Sequence, residues 1–238
     1  MPSLLVLADS LAFHGPQGPV VPTHPQLYPE VCAADLGGDV SVDLLARPGW
    51  TMRDAWWALT KDPVAWGVYL PRADGLVIGV GGMDQLPAAV PTWWRESVPY
   101  VRPGTLRRRV RRALLAASPT LIRVTGGGLR QLPAPVTEHY LARIVTAARH
   151  WRPGLPIVVL GPSPHRSSAY PSQRHHAAAV QAMAAAARLH DCAFVDADPL
   201  VEPSLRDGSG NPDGLHWSWS AHEAVGHALA AGLRAAGW

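Results

Sequence analysis

The stretch VLADSLAFHG, residues 6–15, decides how the chain is to be read. Its apolar start extends back to Leu4 and has the length and unbroken apolar character of a buried strand. The run stops at Asp9 and Ser10, and residues 11–15 have little β character. A bare Asp-Ser at the carboxyl end of a buried strand needs a reason, and the rest of the chain supplies one.

Four more short β-rich runs lie further along: Val40 to Leu45, Gly75 to Val80, Pro156 to Leu160 and Cys192 to Val195. Helical stretches separate them. HPQLYPEVCAADL (24–36) and TMRDAWWAL (51–59) come first, then a basic segment from Thr105, Thr137 to His150, the Ala-rich Gln173 to His190, and Ala221 to Ala236. Strands alternating with helices predict a three-layer α/β/α fold around a mostly parallel five-stranded sheet. Ligands of such sheets bind outside the carboxyl ends of the strands, which is where Ser10 falls. A chain of 238 residues, 47% of them hydrophobic, can bury one substantial core, so a single domain spanning 1–238 is expected.

Two segments interrupt the alternation. Residues 14–29, HGPQGPVVPTHPQLYP, are too rich in Pro and Gly for regular structure and suit a lid or substrate wall. The second runs from Asp84 to about Thr137. Its RPGTLRRRVRRALLAAS (102–118) would carry Leu106, Val110 and Leu114 as a narrow apolar stripe, with Arg107, Arg108, Arg109, Arg111 and Arg112 around it. Most such runs are solvated faces; the sharper reading is a site for an anion, such as the phosphates of an acyl-CoA or a carboxylated sugar. No nucleic-acid module accompanies the charge.

No apolar run is long enough to span a bilayer, and the N-terminus lacks the features of a signal peptide. Cys32 and Cys192 stand far apart with no CxxC, which points to a reducing cytoplasm. Ten Trp against two Phe are large rings that need a partner for an N–H. Taken singly most would fill core; as a set, Trp56-Trp57, Trp93-Trp94, Trp217 and Trp219 suit a sugar-stacking cleft.

Near the other end stands NPDGLHWSWSAHEAVGHALAAGL, residues 211–233. Asp213 and His216 lie in a turn-forming segment before the last helix, so both can face one point above the sheet. With Ser10 they would make a nucleophile, a general base and a carboxylate orienting the base. With His216 near its reference pKa of about 6.5, activity would rise through mildly acidic pH. Other motifs carry less. Gly161-Pro162-Ser163-Pro164-His165 lacks the last glycine of a nucleophile elbow, so Ser163 reads as a loop residue. His222 and His227 are five apart, not the four that place two metal ligands on one face, and read as helix-surface or cleft-lining residues. Asp196 and Asp198 suit capping or a salt bridge. No metal is expected.

At these residues the chain resembles the SGNH (GDSL-type) hydrolases. Ala8-Asp9-Ser10-Leu11 matches the first block, Gly49 in RPGWT the second, and Asp213-Gly214-Leu215-His216 the last. The third block falls on Gly81-Gly82-Met83-Asp84, where a methionine replaces the oxyanion-hole asparagine. The resemblance implies a flavodoxin-like sheet and an oxyanion hole from the N–H groups of Ser10 and Gly49, completed by Gln85 or a backbone N–H at Gly82. Asp9, Trp50, Met83, Asp84, Gln85 and Trp217 are the candidates for substrate contact. Within the superfamily, Ala-Asp-Ser-Leu-Ala-Phe-His-Gly and Asp-Gly-Leu-His-Trp-Ser are most similar to the diglucosylglycerate octanoyltransferases of methylglucose lipopolysaccharide biosynthesis. That resemblance implies transfer of an octanoyl group from acyl-CoA, as co-substrate, to a glucosylglycerate-type sugar acceptor, with no cofactor. A plain esterase or O-deacetylase, and a catalytically inactive binding scaffold, are the alternatives.

Overall fold

A computed structural model describes the chain from Met1 to Trp238. Five strands form its central sheet: β1 (Ser3–Ala8), β2 (Ser41–Ala46), β3 (Gly75–Gly79), β4 (Ile157–Leu160) and β5 (Ala193–Val195). They lie in the order β2-β1-β3-β4-β5, and every pairing is parallel. The sheet expected to be mostly parallel is wholly so. Strand order reverses beside β1, and the crevice between the carboxyl ends of β1 and β3 is the switch point where folds of this order bind ligands.

Helices α1 (Tyr28–Leu36), α2 (Met52–Lys61), α3 (Thr92–Ser97), α4 (Gly104–Val124), α5 (Ala134–Trp151), α6 (His176–Leu189), α7 (Asp198–Asp207) and α8 (Trp219–Ala235) complete the chain. Successive strand side chains point to opposite faces, and β1 serves both. Leu5 and Leu7 join a core with Met52 and Leu59 of α2, Ile144 of α5 and Met183 of α6. Leu4, Val6 and Ala8 join another with Tyr28 of α1, Val201 of α7 and Leu229 of α8. All six residues of β1 are buried. Each fully buried leucine contributes about 1.5–3 kcal/mol, so the strand bearing Ser10 is held from both sides.

Neither interruption is structureless. His14–Gly15 pairs with Gly18–Pro19 in a two-stranded ribbon, a departure from the irregular loop expected there. This loop is fastened to the far end of the chain, because Asn211 Nδ2 donates to the Pro16 carbonyl at 3.0 Å and the His24 ring stacks on Trp219. The second interruption holds α3 and α4, tied at its base by the pairing of Pro87–Ala88 with Leu129–Arg130. Only Ile122 of α4 is buried, so this helix lies on the surface. No helix is long and apolar enough to cross a membrane.

Candidate active site

At the end of β1 the Asp9 carboxylate accepts the Leu11 N–H at 3.0 Å and caps a single 3-10 turn, Ser10–Ala12. That turn presents Ser10. The partners come from a knot of short-range bonds before α8. Asn211 Oδ1 accepts the Asp213 N–H at 3.0 Å, while Asp213 Oδ1 accepts the N–H groups of Leu215 at 2.8 Å and His216 at 3.1 Å. Gly214 takes a left-handed φ of 69°, and a Cβ there would stand 2.6 Å from the Arg166 carbonyl carbon. Only glycine fits this turn. Ser218 then caps α8 by accepting the Ala221 N–H at 3.2 Å.

These constraints bring the three sequence candidates together. Asp213 Oδ2 lies 2.6 Å from His216 Nδ1, and His216 Nε2 lies 2.9 Å from Ser10 Oγ. A carboxylate at Nδ1 fixes the proton there, leaving Nε2 to accept from the Ser10 hydroxyl. Burial would raise the Asp213 carboxyl, yet the Leu215 N–H and the His216 ring and N–H outweigh it and hold the carboxyl below its ordinary value. Burial is also the largest influence on His216 and, with His14 alongside, lowers its pKa below 6.5 although Asp213 opposes. The arrangement can therefore take a proton from a hydroxyl at neutral pH.

His14 was not singled out from the sequence. Its ring stacks on that of His216 with centroids 3.6 Å apart. Its carbonyl accepts from His222 Nε2 at 3.2 Å, while His222 Nδ1 accepts the Tyr28 N–H at 3.3 Å. His222 is thus a fully buried, neutral ring, pushed down to about 4 by burial, and not the surface or cleft residue expected. His227 faces Asp35 at 2.8 Å. Asp196 caps the Asp198 N–H at 3.0 Å, and Asp198 meets His176 at 2.7 Å, the capping and ion-pair jobs expected of them. No group of three or more His, Cys, Asp or Glu is placed to hold a metal ion.

The pocket over Ser10 has a volume of about 40 Å³. Of the residues proposed for substrate or oxyanion contact, Asp9, Gly82 and Met83 line it; Gly49, Trp50, Asp84, Gln85 and Trp217 do not. The N–H groups of Ser10, Gly49 and Gly82 make no hydrogen bond within the chain, but Gly49 is off the pocket wall, where a Cβ would meet the Met83 methyl group at 3.9 Å. Residues 82–85 form one helical turn, and that explains the divergence. Gly82 and Met83 face the pocket, while the turn carries Asp84 and Gln85 inward. Asp84 is fully buried, accepting the Met52 N–H at 3.0 Å and the Thr137 hydroxyl at 2.7 Å. It fastens α2 and α5 to the end of β3. Gln85 is buried with both amide atoms unpartnered, and Trp50 packs on the core beside α2 with Arg47 over its ring.

Trp217 is completely buried, its indole N–H donating to Ser163 Oγ at 3.0 Å. It belongs to the core, and none of the other tryptophans lines the pocket either. Ser163, expected to be only a loop residue, stands on the pocket wall, and so does His165. His165 is 3% exposed, neither ring nitrogen has a partner, and burial pushes its pKa down to about 4. The signal was there in a polar Ser-x-His after a buried strand; the flanking prolines hid it.

No family model matches the chain. Among curated proteins, the diglucosylglycerate octanoyltransferase of Mycolicibacterium hassiacum is 41% identical over 238 residues, 99% of this chain and 96% of that one. The enzyme of the same name from Mycobacterium tuberculosis is 41% identical over 99% of this chain and 94% of its own. Among solved structures, a lipase/acylhydrolase from Enterococcus faecalis matches with a TM-score of 0.63 at 17% identity, covering 97% of this chain and 94% of that one. A psychrotrophic esterase from Pseudoalteromonas matches at 0.59 with 9% identity, over 99% and 98%. These likenesses are of fold.

Proposed function

Because the chain belongs to the diglucosylglycerate octanoyltransferase family, we propose that it moves an octanoyl group from octanoyl-CoA to a hydroxyl of diglucosylglycerate through an acyl-enzyme on Ser10. The observation that carries the reading is the unbroken contact from Asp213 through His216 to Ser10 at the end of β1. His216 takes the Ser10 proton as Oγ bonds to the thioester carbon. The oxyanion that forms is met by the N–H groups of Ser10 and Gly82, in place of an asparagine amide at Met83. The C–S bond breaks, and the departing CoA thiolate takes the proton from His216. A sugar hydroxyl then gives its proton to His216, attacks the acyl carbon and releases Ser10, which recovers that proton. Ser10, His216 and the two substrates account for every proton and electron pair, so the reading calls for no cofactor. We place the reaction in the cytoplasm, since both cysteines are buried and unpaired, as suits a reducing compartment.

Intact mass spectrometry tests this. Octanoyl-CoA should add one octanoyl group to the protein, Ser10→Ala should take up none, and diglucosylglycerate should discharge the adduct as acylated sugar. Free octanoate as the main product would replace the reading with hydrolysis.

A further inference from the structure

One face of α4 borders a groove of about 550 Å³, lined by Arg95, Arg107, Arg108 and Arg111 together with Leu114 and Leu115. No acidic side chain lines it. Arg72, Arg152, Arg166 and Arg234 elsewhere each pair with a carboxylate, but none of these four does. Arg107 spends one N–H on the Pro99 carbonyl at 3.1 Å. Arg95 donates to the Gln131 carbonyl at 2.9 Å, its Nε is buried without a partner, and burial pushes its pKa below the ordinary arginine value. Arg95 donates to the Gln131 side-chain oxygen as well, so its fork is partly engaged, but four guanidinium groups without a carboxylate partner around one cavity match a multiply charged anion.

The groove also leads towards Ser10. An adjoining cavity shares Arg95, Leu114 and Leu115 with it and extends past Pro87 to Tyr170. Pro87 comes directly after Leu86 of the catalytic pocket, and the Tyr170 ring lies 6.4 Å from that of His165 on the pocket wall. The walls between are apolar: Ala88, Val90, Leu115 and Ile122 among them. We propose that this trench holds the acyl donor, with the phosphates of its CoA nucleotide among Arg95, Arg107, Arg108 and Arg111 and its pantetheine arm along the apolar stretch towards Ser10. The inference rests on octanoyl-CoA being the acyl donor.

Calorimetric titration of the full chain with free coenzyme A, beside turnover of octanoyl-CoA and of octanoyl-N-acetylcysteamine, decides it. The double variant Arg108→Ala/Arg111→Ala should weaken CoA binding and raise the octanoyl-CoA KM by about tenfold or more, the loss of one charge-assisted hydrogen bond or better. Turnover of octanoyl-N-acetylcysteamine, which has no nucleotide, should stay unchanged. Arg109→Ala/Arg112→Ala, on the same helix but off the groove, should change none of these. Equal CoA affinity in both double variants overturns the assignment. So does inorganic pyrophosphate binding as tightly as CoA, which would mark a general anion site. CoA binding that depends on Arg108 and Arg111 in a chain forming no acylated sugar would leave the groove standing and remove the reaction; the reverse pattern would remove the groove alone.

Discussion

His216 is held between opposing influences, and the balance sets a pH dependence. Burial disfavours its charged form and Asp213 favours it, with burial the stronger. The base must be neutral to act, so acylation should rise with pH, with a midpoint below 6.5 instead of at the ordinary histidine value. Asp213→Asn removes the one group holding that pKa up and frees the wrong tautomer. The midpoint should fall further and the rate drop by about 10⁴, as loss of a triad carboxylate does elsewhere. Stopped-flow acylation between pH 4.5 and 8 checks both, and a wild-type midpoint at 7 or above would contradict the geometry. His165 tests the acceptor side. A neutral imidazole with no partner inside the protein suits a sugar hydroxyl, so His165→Phe should raise the KM for diglucosylglycerate about tenfold, the worth of one hydrogen bond, and leave the acylation burst intact. A slower burst with an unchanged acceptor KM would place His165 elsewhere in the chemistry. Ser10, Asp213 and His216 were legible because each sits at a point fixed by local pattern, a strand end or a helix start. His14 and His165 were not, because stacking and pocket depth depend on which loops meet, and no spacing records that.

The turn before α8 is the element on which the site depends. Asp213 and His216 are three residues apart, and their side chains converge only because Gly214 turns left-handed against the Arg166 backbone, whose N–H donates to the Gly214 carbonyl at 2.8 Å. Gly214→Ala should cost about 1–2 kcal/mol for the backbone conformation alone, before the clash with residue 166 is relieved. A displacement of about 1 Å can cost 10²-fold in rate, so kcat should fall by about that factor while CoA affinity, which the proposal assigns to the arginines of α3 and α4, stays put. Thermal unfolding read beside turnover separates the two losses; full activity with a lowered Tm would show that the turn tolerates the shift. The five strands were readable to within a residue or two because an apolar run ended by a turn is a local signal. The helical turn at 82–85 was not. There a block resemblance put Asp84 and Gln85 at the site, and the 3.6-residue period of the helix carries them inward. The tryptophans misled for a related reason: an indole N–H needs a partner but not water, and Trp217 finds Ser163 in the core.

Over the whole molecule, four groups buried around the sheet pull stability in opposite directions as pH changes. Burial pushes the carboxyls of Asp9 and Asp84 up to about 7, so between pH 4 and 7 the folded chain keeps protons that an unfolded chain, with carboxyls near 3.8, has released. Stability from these two is present below about pH 4 and is lost as pH rises towards 7. His165 and His222 behave in the opposite sense, pushed down to about 4 from 6.5, so their contribution is present above pH 6.5 and lost as pH falls towards 4. The two pairs offset, and the wild-type chain should show little net change in stability across this window. Asp84→Asn should expose the imbalance. Its amide oxygen still accepts the Met52 N–H, but it has no proton to lose, so relative to wild type the variant should gain on the order of 2–3 kcal/mol between pH 5 and 7. Urea unfolding at the two pH values, with matching m-values, measures that difference directly. The same gap at both would mean that Asp84 titrates as an ordinary carboxylate and that the joint it makes between α2, α5 and the end of β3 carries a charge. The expected gain would mean that the fold holds this joint as a neutral acid, one helical turn from Gly82 and the pocket over Ser10.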